Sequence, residues 1–227
     1  MVKDRLRYTC RQAQGDEVMK RLTLFFILSV ILSSCGVIKV AGPDPLSLNE
    51  HMRLGAIYES QGKYDLALRE YDSAKSIDTK EANVYFAIGN VYLRMKEYPK
   101  AEKSYGRAIE LREAPEFYNN LGWLLMEKGD MEGARSMVEK AVRMSGEGGY
   151  SYLDTLGVIQ LRAGEYEAAE GSFLKAADAV PAGRPGALAE IYSHLGELYE
   201  KSGKLEKASV IEEKLKAIKA PEWKEGL

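Results

Sequence analysis

A two-residue signature, Leu or Ile followed by Gly, returns five times along this chain: Leu54-Gly55, Ile88-Gly89, Leu121-Gly122, Leu156-Gly157 and Leu195-Gly196. The glycines lie 34, 33, 35 and 39 residues apart. A period of that length marks a small supersecondary unit that cannot bury its apolar side alone, so the copies must stack. Other positions keep the register. Three residues after the glycine come Tyr58, Tyr92, Leu125, Gln160 and Tyr199, and twelve after it comes alanine each time: Ala67, Ala101, Ala134, Ala169 and Ala208. Four further on stand Tyr71, Tyr105, Val138, Phe173 and Glu212, followed by Ala74, Ala108, Ala141, Ala176 and Leu215. Small and large residues in this order predict two closely packed helices per copy, with the large side chains filling the space beside the small ones. That pattern explains why Tyr, at 14, outnumbers Phe, at 5. A tyrosine ring can be buried while its hydroxyl reaches water or a partner. Gly62, Gly129, Gly164 and Gly203 fall between the two helices of a copy and suit a left-handed helix end; the second copy has Lys96 there.

This arrangement resembles the tetratricopeptide repeat. The resemblance implies an all-α fold, a right-handed superhelical solenoid of about five helix-turn-helix repeats. They divide at about residues 48–81, 82–114, 115–149, 150–188 and 189–219, with a tail at 220–227. Three departures stand out. Gln160 replaces an apolar residue and reads either as a satisfied buried amide or as an altered packing site. Glu212 occupies a usually buried position, as suits a last helix that no later repeat covers. The spacing of 39 includes Pro181-Ala182-Gly183-Arg184-Pro185-Gly186, read as a longer loop between repeats four and five.

The N-terminal region reads as an address. Leu22 to Leu32 is the one long apolar run, and it follows Met19, Lys20 and Arg21. Eleven helical residues span about 16 Å, roughly half a hydrocarbon core, so a signal peptide fits better than a spanning helix. The sequence Leu32-Ser33-Ser34-Cys35 resembles the bacterial lipobox. That resemblance implies a signal region over 1–34, diacylglyceryl and acyl lipid on Cys35, and a linker over 35–47. A chain so anchored belongs to the bacterial cell envelope, and Gly36 after the cysteine favours the periplasmic face of the outer membrane. Two or more acyl chains make such attachment stable where one is marginal. Residues 1–18 are polar and charged and fit an n-region badly, which points to translation starting at Met19.

Little else suggests chemistry. Cys10 and Cys35 are the only cysteines, so residues 36–227 can hold neither a disulfide nor a thiolate metal site. A net charge of -2 offers no basic field for nucleic acid. His51 and His194, the only two histidines, fall in repeats one and five, far apart in a stack. No catalytic motif is present, and the Gly146–Gly149 stretch lacks the strand-loop-helix setting of a phosphate cradle. The chain therefore reads as no enzyme, with no cofactor beyond the lipid, no metal and no small-molecule substrate.

Binding is the remaining role. In the family that the repeats resemble, first helices line a concave groove that holds peptides. Counting each Leu/Ile-Gly glycine as position eight, the groove candidates are Phe86, Asn90, Arg94, Asn119, Asn120, Trp123 and Met126. Asparagine can both donate to and accept from a peptide backbone. Trp and Met offer apolar contact. Phe86 and Trp123 read equally well as packing against neighbouring helices. The basic clamp of related chaperone-binding domains cannot be assembled: Arg53 and Arg94 are candidates, but the set is incomplete. The expected protein partner resembles those of tetratricopeptide lipoproteins in type IV pilus and secretin assembly. Adaptors for periplasmic proteases or cell-wall enzymes are the alternative within the envelope. An enzyme-associated repeat domain or a cytoplasmic repeat protein is the alternative outside that class.

Overall fold

The structure, a computed structural model, describes residues 44–146 and 149–219. The signal region, Cys35 and the 220–227 tail lie outside the described residues. Ten helices are described. In pairs they are α1 (Leu48–Ser60) with α2 (Tyr64–Ile77), α3 (Ala82–Arg94) with α4 (Tyr98–Leu111), and α5 (Pro115–Glu127) with α6 (Met131–Ser145). The series ends with α7 (Tyr150–Arg162) against α8 (Tyr166–Ala179), and α9 (Pro185–Lys201) against α10 (Leu205–Lys219). Each helix packs most closely on the other member of its pair, and each second helix touches the first helix of the next repeat. The result is an all-α solenoid of five helix-turn-helix units.

Local chemistry sets the helix limits. Ser47 opens α1 with a capping box: its hydroxyl accepts from the Glu50 N–H, and the Glu50 carboxylate accepts from the Ser47 N–H at 2.7 Å. Pro115 and Pro185 each take a first helical position, where a missing N–H costs nothing. Each pair turns through a left-handed residue. Gly62, Gly129, Gly164 and Gly203 have φ of 71°, 86°, 79° and 73°, and Lys96 takes the same role at 60°. Lys96 is the one described residue other than glycine with positive φ.

The packing sharpens the sequence reading. The buried alanines at both second-helix positions of repeats one to four do allow close approach. The signature glycine has a more specific task, because the large side chain of the second helix lies directly over it. A methyl group on Gly89 would sit 2.6 Å from the Tyr105 ring, and one on Gly157 would sit 2.5 Å from Phe173. Gly55 meets Tyr71, and Gly122 meets Val138, in the same way. Repeat five departs from this. Glu212 is exposed and pairs with Lys216, and the nearest side-chain atom to a methyl on Gly196 is Ile211 Cγ2 at 3.8 Å.

The spacing of 39 resolves differently from the expected long loop. The connection 180–184 is short, and α9 has 17 residues where every other first helix has 13. Most of the insertion extends α9 at its N-terminus, because Pro185 starts a helix as readily as it ends one. Gln160 is resolved as well: its side-chain oxygen accepts from the Ser172 hydroxyl at 2.7 Å, so the half-buried amide is satisfied.

Ion pairs join neighbouring repeats: Lys128 with Glu102, Lys140 with Glu113, and Arg135 with Glu165. These are partly exposed and individually contribute little. Glu170 differs. Its carboxylate is 16% exposed and meets Lys204 at 2.8 Å and Lys207 at 2.6 Å, and it accepts from the Tyr199 hydroxyl at 2.9 Å. Hydrogen bonds from Lys204 and Lys207 hold its pKa down at about 2. This contact ties repeat five to repeat four.

Candidate functional site

First helices of successive repeats touch one another along the whole stack. Second helices are not drawn together in the same way, so the first-helix side is the inner, concave one. The family's groove positions lie on that side.

Residues of α3 and α5 there form a connected polar group. Asn90 accepts from the Tyr105 hydroxyl at 2.8 Å and from the Asn120 amide at 2.8 Å. Burial pushes the Tyr105 phenol well above its ordinary pKa, so it stays protonated and donates. Asn119 donates to Asn120 at 3.4 Å. The Asn119 side-chain oxygen is shut off from solvent and has no hydrogen-bond partner. Such an orphaned acceptor is uncommon in a folded protein.

The other candidates fall into two groups. Arg94 is exposed and its Nε donates to Glu59 at 3.0 Å; Arg162 makes the corresponding contact to Glu127, at 3.2 Å. Arg94 therefore helps pair the ends of adjacent first helices. Phe86 is half-buried, with its ring 4.8 Å from Phe117 and 5.8 Å from Tyr105, which is a packing role. Met126 corrects the expectation of a groove contact. It is 2% exposed and packed in the core with Val158 and Ile159, so it has no surface to offer. Its position faces the next repeat rather than the groove.

Trp123 does both things. It is half-buried against the core and also forms part of the wall of an open cleft. This cleft, of about 220 Å³, lies between α5, α7 and α9. Its walls include Asn119 and Trp123 from repeat three and Asp154 from repeat four. Glu190 and His194 come from repeat five. Asp154 and His194 are joined by a 2.9 Å contact. That hydrogen bond, opposed by burial, raises the histidine pKa, and the charges of Asp154, Glu190 and Glu197 act in the same direction.

The sequence pattern pointed at Asn119 and Trp123 but missed Glu190 and His194. Extending the same position count into repeat five places Glu190 at position two and His194 at position six, so the signal was available. Its distance from Asp154, 40 residues along the chain, hid the pairing.

Among the described residues no group of three or more His, Cys, Asp or Glu is placed to hold a metal ion. No described helix is long and apolar enough to cross a membrane.

Comparison with known proteins agrees with this geometry. The tetratricopeptide repeat family matches at residues 47–114, 86–148 and 189–219. Over 108 residues, 48% of this chain, the sequence is 31% identical to BBSome complex member BBS4 of Bos taurus, and the match spans 21% of that relative. Among solved structures, PilW, a widely conserved type IV pilus biogenesis factor, superimposes with a TM-score of 0.68 at 20% identity, covering 75% of this chain and 77% of PilW. YrrB, a tetratricopeptide protein with an unusual peptide-binding site, superimposes with a TM-score of 0.54 at 21% identity, covering 76% of this chain and 87% of YrrB. These likenesses in structure show the fold. With five helix pairs, each turning through a left-handed residue, and family matches over residues 47–148 and 189–219, this chain is a tetratricopeptide-repeat solenoid, a protein-interaction scaffold.

Proposed function

We propose that this scaffold works in a bacterial envelope, held to the membrane by lipid on Cys35, and docks a polypeptide partner on its first-helix face. The observation that carries the docking role is the cleft between α5, α7 and α9, where Trp123 is half-exposed. Trp in such a setting is a frequent energetic anchor of interfaces. The anchor rests on the Leu32-Ser33-Ser34-Cys35 sequence after a short apolar run, which lies outside the described residues. The pilus-type reading draws support from the shared fold with PilW. YrrB supports a peptide as the kind of ligand.

Two experiments test this. Cells fed labelled palmitate should incorporate label into the wild-type chain and not into Cys35→Ser. Label persisting in that variant, or missing from the wild type, rules out the anchor. Trp123→Ala should weaken partner capture by more than about 1 kcal/mol while the helical circular dichroism signal is retained. Unchanged capture by a folded variant removes Trp123 from the docking face.

A further inference from the structure

The cleft between α5, α7 and α9 has a definite charge. Asp154 and Glu190 are in its walls, and no Lys or Arg is among its lining residues. Arg184 lies at the rim, where it donates to the Tyr150 hydroxyl at 3.1 Å. The one basic group inside is His194, and it is already matched to Asp154 at 2.9 Å. Glu190 and Glu197 add to the negative field around that histidine. An acidic segment or a terminal carboxylate placed here would face like charge, which is costly in a partly enclosed site.

The remaining wall groups favour a cation that is rich in N–H donors. Asp154 and Glu190 accept as carboxylates. Trp123 offers an indole, the aromatic system that best attracts a cation. The cleft has room for one long side chain and none for a helix. Building on the docking role above, we infer that the cleft between the first helices of repeats three, four and five receives a lysine or arginine side chain from an extended segment of the partner. This is the opposite charge preference from the basic clamp of related chaperone-binding domains, for which the set of residues in this chain is incomplete.

His194 competes with that cation for Asp154. Its neighbours are Asp154 from α7, Glu190 and Glu197 from α9 itself, and the uncharged Phe173 ring of α8 at 5.6 Å.

The test uses random twelve-residue peptides displayed on phage and panned against the full chain. Enriched peptides are synthesised and titrated by fluorescence anisotropy. Peptides carrying Lys or Arg should dominate. Their affinity should fall on the order of fivefold with Glu190→Gln, the equivalent of about 1 kcal/mol. Asp154→Asn should lower it further, and Glu110→Gln on the opposite face of the stack should leave it unchanged. Glu190 is exposed, so its substitution does not threaten the fold even where Asp154→Asn does. Enrichment of acidic or uncharged peptides overturns the charge preference while leaving peptide docking intact. Basic peptides indifferent to Glu190→Gln overturn it too. Failure to enrich any peptide removes peptide docking altogether, and the charge preference with it.

Discussion

The contact between each signature glycine and the large residue above it can be tested with an internal control. Gly89→Ala adds a methyl group 2.6 Å from the Tyr105 ring. That ring is fully buried, and its hydroxyl is held by Asn90 at 2.8 Å, so it has little freedom to retreat. Overpacking of this kind costs about 1–3 kcal/mol. Displacing the ring also strains a hydrogen bond whose net contribution is about 1 kcal/mol. Against this, alanine gains about 1 kcal/mol over glycine in a helix. The expected net effect is a loss of about 1–3 kcal/mol. Gly196→Ala makes the same chemical change in repeat five, where the nearest side-chain atom is 3.8 Å away. Only the helix propensity acts there, so the stack should gain up to about 1 kcal/mol. Urea unfolding followed by circular dichroism reads both variants. Opposite signs are expected. Shifts of the same sign and size would refute direct seating of the ring on the glycine.

Lys96 holds a left-handed conformation that costs a side-chain-bearing residue about 1–2 kcal/mol; after the entropy of glycine is set against that, Lys96→Gly should raise the urea midpoint by the equivalent of about 0.5–1 kcal/mol, and a lowered midpoint would count against that strain. Glu170 has a folded pKa of about 2, well below the ordinary glutamate range, so its stabilisation is complete above the unfolded pKa and is lost as pH falls from there through the folded value. Its titration by carboxyl NMR should therefore have a midpoint near 2, and a midpoint in the usual glutamate range would show that the Lys204 and Lys207 contacts do not hold in solution. If a basic side chain displaces His194 from Asp154, affinity for lysine-bearing peptides should weaken as pH falls and the histidine protonates; affinity independent of pH would show that the two do not compete.

Much of the fold was legible because packing repeats wherever sequence repeats. The left-handed glycines, the buried alanines and the exposed Glu212 were all visible as departures from, or agreements with, one register. The helix that begins at Pro185 was not visible, because Pro-Gly sequences signal a loop as readily as a helix start. The site was half legible. Asn119, Asn120 and Trp123 stood at first-helix positions marked by the repeat register, and the structure places Asn119 and Trp123 at the cleft. Met126 was misjudged because a helix position one turn away from the groove faces the next repeat. Asp154 and His194 come together only through the stacking of α7 on α9, a contact that spacing alone does not reveal.

Docking on the first-helix face can be tested most directly by site-specific photocrosslinking in living cells. A photoreactive residue replaces Ser151, exposed in the wall of the cleft, or Lys103, exposed on the second helix α4. Position 151 should crosslink to a polypeptide partner that position 103 does not reach, and Glu190→Gln should diminish the product. Crosslinks from position 103 with none from position 151 would place the partner on the other side of the stack and contradict docking through this groove.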